Sequence, residues 1–201
     1  MAEEAVRTRN KAKTRQKLLA AARELFYENG ICATGVSAVA GRAGVTKMTL
    51  YAHFTSKDDL VAAYLEDNDR RWREFLEEKL SGYEDSRDRL LAVCDAYGEY
   101  FTAREMRGCA FVNCAAEFPD PDHPARRVIW RHKAGVREQL QDLAAEAGAE
   151  DSATLAERLF VVLEGAYVTG ALEGDRGVLD RSRVFFVELV EAAIRYQAAD
   201  G

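Results

Sequence analysis

The sequence predicts an all-α protein: an N-terminal three-helix head containing a helix-turn-helix, then a larger helical body, about nine helices in all. Three observations predict it. Apolar residues recur at i, i+3 and i+4 through most of the chain. Only three prolines and few β-branched runs are present, which disfavours strands. Turn signals at Asn29-Gly30, Gly44, Gly82, Pro119-Asp120-Pro121 and Gly148 separate the periodic segments. A chain of 201 residues, 48% hydrophobic and 31% charged, is long enough for a sizeable core, or for a small domain on a larger one.

Residues 1–12 form a basic arm. Arg7, Arg9, Lys11, Lys13, Arg15 and Lys17 alternate through a segment of little apolar content. That composition is expected to be disordered when free and able to reach phosphates or a minor groove. The first helix should run from about Lys13 to Glu28, with Leu18, Leu19, Ala22, Leu25 and Phe26 on one face. Asn29-Gly30 is its stop. Residues 34–60, TGVSAVAGRAGVTKMTLYAHFTSKDDL, organise the rest. Val36, Val39 and Ala40 make one apolar face of a short helix, Gly44 permits a turn through positive φ, and Val45 packs inside that turn. Thr46 can cap the next helix through its hydroxyl. That helix sends Leu50 and Phe54 toward the core and leaves Lys47, Thr49, Tyr51 and His53 as hydrogen-bond donors. Two short helices on a tight glycine turn, the second rich in donors, are the pattern of a helix-turn-helix.

Charge agrees with a nucleic-acid-binding head. The net charge of −6 conceals an asymmetry. Residues 1–60 carry ten Lys and Arg against six Asp and Glu, and the remainder eighteen against twenty-eight. The head is therefore at +4 and the body at −10, so one end suits phosphates and the other is a solvated acidic body.

The stretch VSAVAGRAGVTKMTLYAHFTSKDDL resembles the DNA-binding signature of the tetracycline-repressor (TetR) family of transcriptional regulators. The likeness is carried by Ala43-Gly44-Val45-Thr46, by Leu50-Tyr51-x-His53-Phe54 and by Ser56-Lys57-Asp58-Asp59-Leu60, within residues 10–62. Gly35 departs from the hydroxyl residue common at that N-cap, and Met48 from a small residue or proline. By residue type, Lys47 and Thr49 are the candidates for base edges. Ser37, Thr46, Tyr51, His53 and Lys57 are the candidates for phosphate oxygens, with the resemblance favouring that role for His53. The resemblance divides the chain into a DNA-binding domain, 1–55, and a ligand-binding and dimerisation domain, 56–201.

Ser56, with Asp59 three residues on, opens a helix reaching about Ser81-Gly82 through Leu60, Tyr64, Leu65, Trp72 and Phe75. In the resembling family this helix connects head to body, and its tilt transmits the ligand signal. Asp85 to Ala103 reads as the next helix, broken at Met106-Arg107-Gly108. Cys109 to Glu117 is a short apolar helix, and Asp122 is expected to cap another that ends at Gly148. Asp151 or Ser152 caps a helix to about Ala171, and Asp180 or Ser182 leads into the last, to about Tyr196.

Those last two helices are apolar around much of their circumference, so a second face must be covered. Leu159, Leu163, Ala166, Phe185, Leu189 and Ile194 are the candidate contacts of a homodimer built as an intermolecular four-helix bundle, as the family uses. Gly165 and Gly170 would allow close helix approach. A body pocket is expected among Cys94, Tyr97, Phe101, Phe111, Cys114, Trp130 and Tyr167. Cys32, Cys94, Cys109 and Cys114 match no zinc or CxxC spacing and read as reduced, small hydrophobes. Glu117, Asp120, Asp122, His123 and His132 form a cluster of ligand types, but carboxylates next to prolines at a helix start read as caps and solvated loop, so no metal is expected. No apolar run of membrane-spanning length and no signal peptide is seen, so a cytoplasmic protein is expected.

The reading is a cofactor-free repressor that binds a palindromic operator in double-stranded DNA as a homodimer. An unidentified small-molecule effector would release it. Two alternatives stand beside it: a redox-responsive or constitutive DNA-binding dimer without an organic ligand, and an enzyme using Cys114 or His123. No nucleophile–base–orienter set is recognisable for the second.

Overall fold

The computed structural model describes the backbone of residues 1–103 and 107–198, with side chains except those of residues 2, 3, 5 and 195–198. Within them lie nine helices: α1 (Ala2–Asn29), α2 (Val36–Arg42), α3 (Lys47–Tyr51), α4 (Lys57–Leu80), α5 (Ser86–Thr102), α6 (Ala110–Glu117), α7 (Pro124–Glu146), α8 (Ser152–Glu173) and α9 (Gly177–Ala198). None of them is long and apolar enough to cross a membrane.

Three local expectations are corrected. The arm is not an irregular segment: α1 begins at Ala2. Its Ala, Arg, Lys and Glu content favours helix, no Gly or Pro interrupts it, and Thr8 and Thr14 return their hydroxyls to the carbonyls of Glu4 and Asn10. Asp122 does not cap α7. His123 does, its Nδ1 accepting the Ala125 N–H at 3.2 Å, while Asp120 takes the Asp122 N–H. The last helix starts at Gly177, before Asp180 and Ser182, with the Asp175 carboxylate accepting the Gly177 N–H at 2.8 Å. Two expected caps match, Asp151 accepting from Thr154 and Ser56 from Asp59, and Asp85, expected only as a helix start, caps α5 by accepting from Asp88. Of the break expected at residues 106–108, Met106 lies outside the described residues, and Gly108 has φ 83° just before α6.

The chain resolves into two compact units, Met1–Arg70 with Ala110–Ile129, and Arg71–Cys109 with Trp130–Gly201. The division expected at 55/56 falls inside the first. The first unit packs Leu18, Ala22 and Phe26 of α1 with Val39 of α2, Leu50 of α3, Phe54, and Leu60 and Tyr64 of α4, all buried. Phe26 meets the Tyr64 ring edge-on, with centroids 5.3 Å apart. Phe111 and Cys114 of α6 are buried in this same unit.

In the second unit α8 packs along α9, and α5 lies against both. Trp72 sits edge-on to Tyr97 and Tyr100, and Tyr167 stacks on Phe101. The Tyr167 hydroxyl donates to the Tyr97 carbonyl at 3.1 Å. At Gly170 a Cβ would lie 2.8 Å from Phe101 Cε1 and 3.0 Å from Val178 Cγ1, so only glycine permits this approach. The apolar circumference of α8 and α9 is real, but of the six residues expected on its outer face only Phe185 is exposed. Leu159, Leu163 and Ala166 are buried within the protomer, because the α5 and α9 side claims them. The outward residues are Val161, Val168 and Leu172 of α8, with Val184 and Phe185 of α9. Leu189 and Ile194 are half-buried.

Candidate nucleic-acid interface and body cleft

The turn between α2 and α3 is built by backbone geometry. Gly44 has φ 69°, its N–H bonds to the Gly41 carbonyl at 3.1 Å, and the Val45 N–H reaches back to Ala40 at 2.9 Å. Thr46 then adopts an extended conformation, and its Oγ1 accepts the Thr49 N–H at 3.1 Å. The Thr46 and Thr49 hydroxyls are themselves 2.9 Å apart. Their oxygens thus order the start of α3 while lying at its surface. At the other end the Leu50 carbonyl takes the N–H groups of His53 and Phe54, and Phe54 is buried with the Arg15 guanidinium 5.4 Å above its ring.

With Leu50 fully buried, α3 turns Lys47, Met48 and Tyr51 to solvent, and Thr49 is half-exposed. The Lys47 ammonium lies 5.8 Å from the Tyr51 ring centre. Met48, 84% exposed, was not among the expected contacts, and an apolar side chain on a donor-rich helix is suited to a thymine methyl. Ser37 is exposed in the first turn of α2, whose N-cap, Gly35, offers no side-chain cap. His53 is half-buried. Burial first, then the nearby charges of Lys11 and Arg15, hold its imidazole below its ordinary range. Lys57 is not wholly free, because its Nζ donates to the Cys32 carbonyl at 3.3 Å. Arg42 pairs with Glu24 at 2.8 Å across α1 and α2.

One pairing in this unit had no signal in the local sequence. The Glu117 carboxylate, at the end of α6, accepts the N–H of Ile31 at 2.9 Å and of Cys32 at 2.6 Å. The sequence separations, 86 and 85 residues, put the pairing beyond any periodicity. His123 stacks on Phe118 and places Nε2 3.4 Å from Asp58. Glu117, Asp120 and His123 each have a backbone donor to satisfy, and no metal-holding cluster occurs among the described residues.

The second unit contains a cleft of about 490 Å³ between α5, α8 and α9, within the range of small-molecule sites. Its walls include Cys94, Tyr97, Gly98, Leu163, Tyr167 and Leu179, and the Asp95–Arg183 ion pair at 2.6 Å lines it too. Of the residues expected to line a pocket, Cys94, Tyr97 and Tyr167 do so, and Phe101 backs Tyr167. Phe111 and Cys114 belong to the other unit, and Trp130 is 76% exposed, so these three do not join the cleft. Their apolar character marked them from sequence, but the chain routes α6 elsewhere. Burial, then the charge of Asp95, pushes the Cys94 thiol up to about 12; burial, then the charge of Glu117, does the same for Cys114. Both are inert as nucleophiles near neutral pH.

A glycine-turned helix pair around a buried leucine, its second helix presenting Lys47, Met48, Thr49 and Tyr51, defines the class of helix-turn-helix transcriptional regulators. Comparison with known proteins carries this further. Residues 18–64 match the family model of bacterial regulatory proteins of the tetR family, and residues 86–186 the tetracyclin repressor-like C-terminal domain. The repressor NemR of Escherichia coli is 31% identical over 140 residues, covering 69% of this chain and 70% of NemR. The activator FasR of Mycolicibacterium smegmatis is 37% identical over 86 residues, 43% of this chain and only 39% of FasR. A crystal structure of a TetR-family regulator from Streptomyces coelicolor superposes with a TM-score of 0.85 at 30% identity, covering 91% of this chain and 97% of that one. The chain belongs to the TetR family of transcriptional regulators; its function is DNA-binding regulation, not catalysis.

Proposed function

We propose that the protein is a repressor that binds a palindromic operator as a homodimer and leaves it when a small organic effector occupies the body cleft. The observation that carries the DNA side is the outward set on α3 around buried Leu50. Lys47 would address guanine acceptors, Thr49 and Met48 a thymine methyl or its neighbours, and Thr46, Tyr51, His53, Lys57 and Ser37 the phosphates. Dimerisation is supported by Val161, Val168, Leu172, Val184 and Phe185, large apolar side chains 42–81% exposed in the protomer. Two heads then combine their affinities on one site. The cleft's volume and apolar walls support an effector with an apolar body. An effector acts by preferring a conformation with another head spacing, which shifts the population off DNA.

Selection of duplexes from a random library, followed by mobility shift at several salt concentrations, tests the reading. A palindromic consensus and steep salt dependence are expected, and Lys47→Ala should change the consensus. Failure to enrich any palindrome would reject it. One observation favours a redox version: Lys133 donates to the Cys109 sulfur at 3.5 Å. Loss of DNA binding on peroxide treatment, restored by thiol and abolished in Cys109→Ser, would select that version.

A further inference from the structure

We propose that Glu117 is a positioning residue for DNA binding: its carboxylate grips the loop that leads into the helix-turn-helix and thereby sets the placement of α2 and α3. The reasoning starts at the end of α1. Gly30, at φ 85°, turns the chain out of the helix and leaves the next two N–H groups side by side without helical partners. One carboxylate answers both, one oxygen each, at 2.9 and 2.6 Å. Charge-assisted bonds of this kind are about twice as strong as neutral ones. A Cβ at Gly30 would stand in ordinary contact with both Glu117 oxygens at 3.5 Å, so the positive φ rather than space is what asks for glycine here.

The rest of the loop is equally specified. Lys57 holds the Cys32 carbonyl, so that residue is gripped at its N–H by α6 and at its C=O by α4. Buried Thr34 donates its hydroxyl to Gly30 at 2.7 Å. Of these three holders only Glu117 comes from outside the first 64 residues. Downstream, α2 starts at Val36 with Gly35 at its N-cap and no side-chain cap, so the loop is what registers its first turn. α2 in turn fixes the recognition helix through the Val45–Ala40 backbone bond and the buried wedge of Val39 and Leu50. Burial works to raise the Glu117 carboxyl, but the amides of Cys32 and Ile31, the Cys32 thiol and Lys57 outweigh it and hold it below its usual range. The anion is therefore the resident form at neutral pH.

The test uses the full chain and rests on its DNA binding alone, not on the effector reading. Glu117→Gln keeps the shape, removes the charge and faces one loop N–H with a donor; Glu117→Asp keeps the charge and shortens the reach. Two readouts are taken below the melting temperature of each variant. The first is the pH profile of Cys32 alkylation, followed by mass spectrometry. Cys32 is the exposed cysteine of the four, and after burial it is Glu117 that raises its thiol most. The profile should move to lower pH in Glu117→Gln. The second is affinity for a duplex selected by the wild type, against a random duplex. Affinity for the selected duplex should fall about tenfold, with the salt slope and random-duplex affinity unchanged. Glu117→Asp should lie between. A shifted alkylation profile with selected-duplex affinity within twofold of wild type would overturn the positioning role. An unshifted profile would overturn the contact itself. If no duplex can be selected, sequence-specific binding has failed instead, and the alkylation arm still decides the contact. If Glu117→Gln does not fold, Glu117→Asp decides by the same two measurements.

Discussion

Lys47 and Met48 are neighbours on α3 and make opposite predictions. A lysine can reach both bases and phosphates, whereas a methionine 84% exposed has only apolar contact to offer. Met48→Ala should relax preference at one or two base pairs, each at a cost of about 1 kcal/mol, with the salt slope unchanged. Selection with the variant checks it. His53 gives a test of sign. Its pKa is lowered in the free head, by burial and then by Lys11 and Arg15, so protein stability from the neutral imidazole is full above about pH 6.5 and declines as pH falls through the lowered value. A phosphate beside it would reverse the shift. Operator affinity should therefore rise as pH falls from 7.5 to 6, and His53→Gln should flatten the dependence. A flat wild-type profile would remove His53 from the phosphate contacts. Thr46→Ala should destabilise the head by about 1 kcal/mol through loss of the α3 cap, read by denaturant titration.

At the scale of elements, Gly170 is the sharpest case. Gly170→Ala places a methyl 2.8 Å from Phe101 and 3.0 Å from Val178, and should destabilise the second unit by about 1–3 kcal/mol, visible as a lowered melting temperature. Gly98→Leu differs. A Cβ there would stand 3.8 Å from Leu179, an ordinary contact, so the variant should fold, fill the cleft, keep DNA binding and lose any effector response. The helices themselves were legible because their signals are local: Gly44, the Thr46 hydroxyl and buried Leu50 all act within a few residues of one another. The extent of α1 was misjudged because charge alternation in residues 1–12 says nothing against helix when Gly and Pro are absent. The buried and outward halves of α8 could not be separated, since Leu159 and Val161 are equally apolar and only the packing of α5 and α9 distinguishes them. The partners of Glu117 were invisible for a related reason: a carboxylate that binds backbone amides places no demand on the side chains it meets.

For the molecule as a whole, the exposed apolar residues of α8 and α9 predict concentration-dependent behaviour. Wild type should sediment at twice its 22.4 kDa protomer mass. Phe185→Glu combined with Val168→Glu should sediment as a protomer and bind the operator about a hundredfold more weakly, as expected when two linked contacts become one. A variant that stays dimeric would move the interface off these residues.

The membership of residues 110–129 in the first unit has a consequence for synthesis and for engineering. As the chain leaves the ribosome at about 5–20 residues per second, α1, α2 and α3 emerge seconds before the carboxylate that ties their loop. A head excised at Arg70, or grafted onto another regulator's body, would carry the recognition helix but leave the Ile31 and Cys32 amides to water. Chimeras of this protein should therefore exchange both chain segments together.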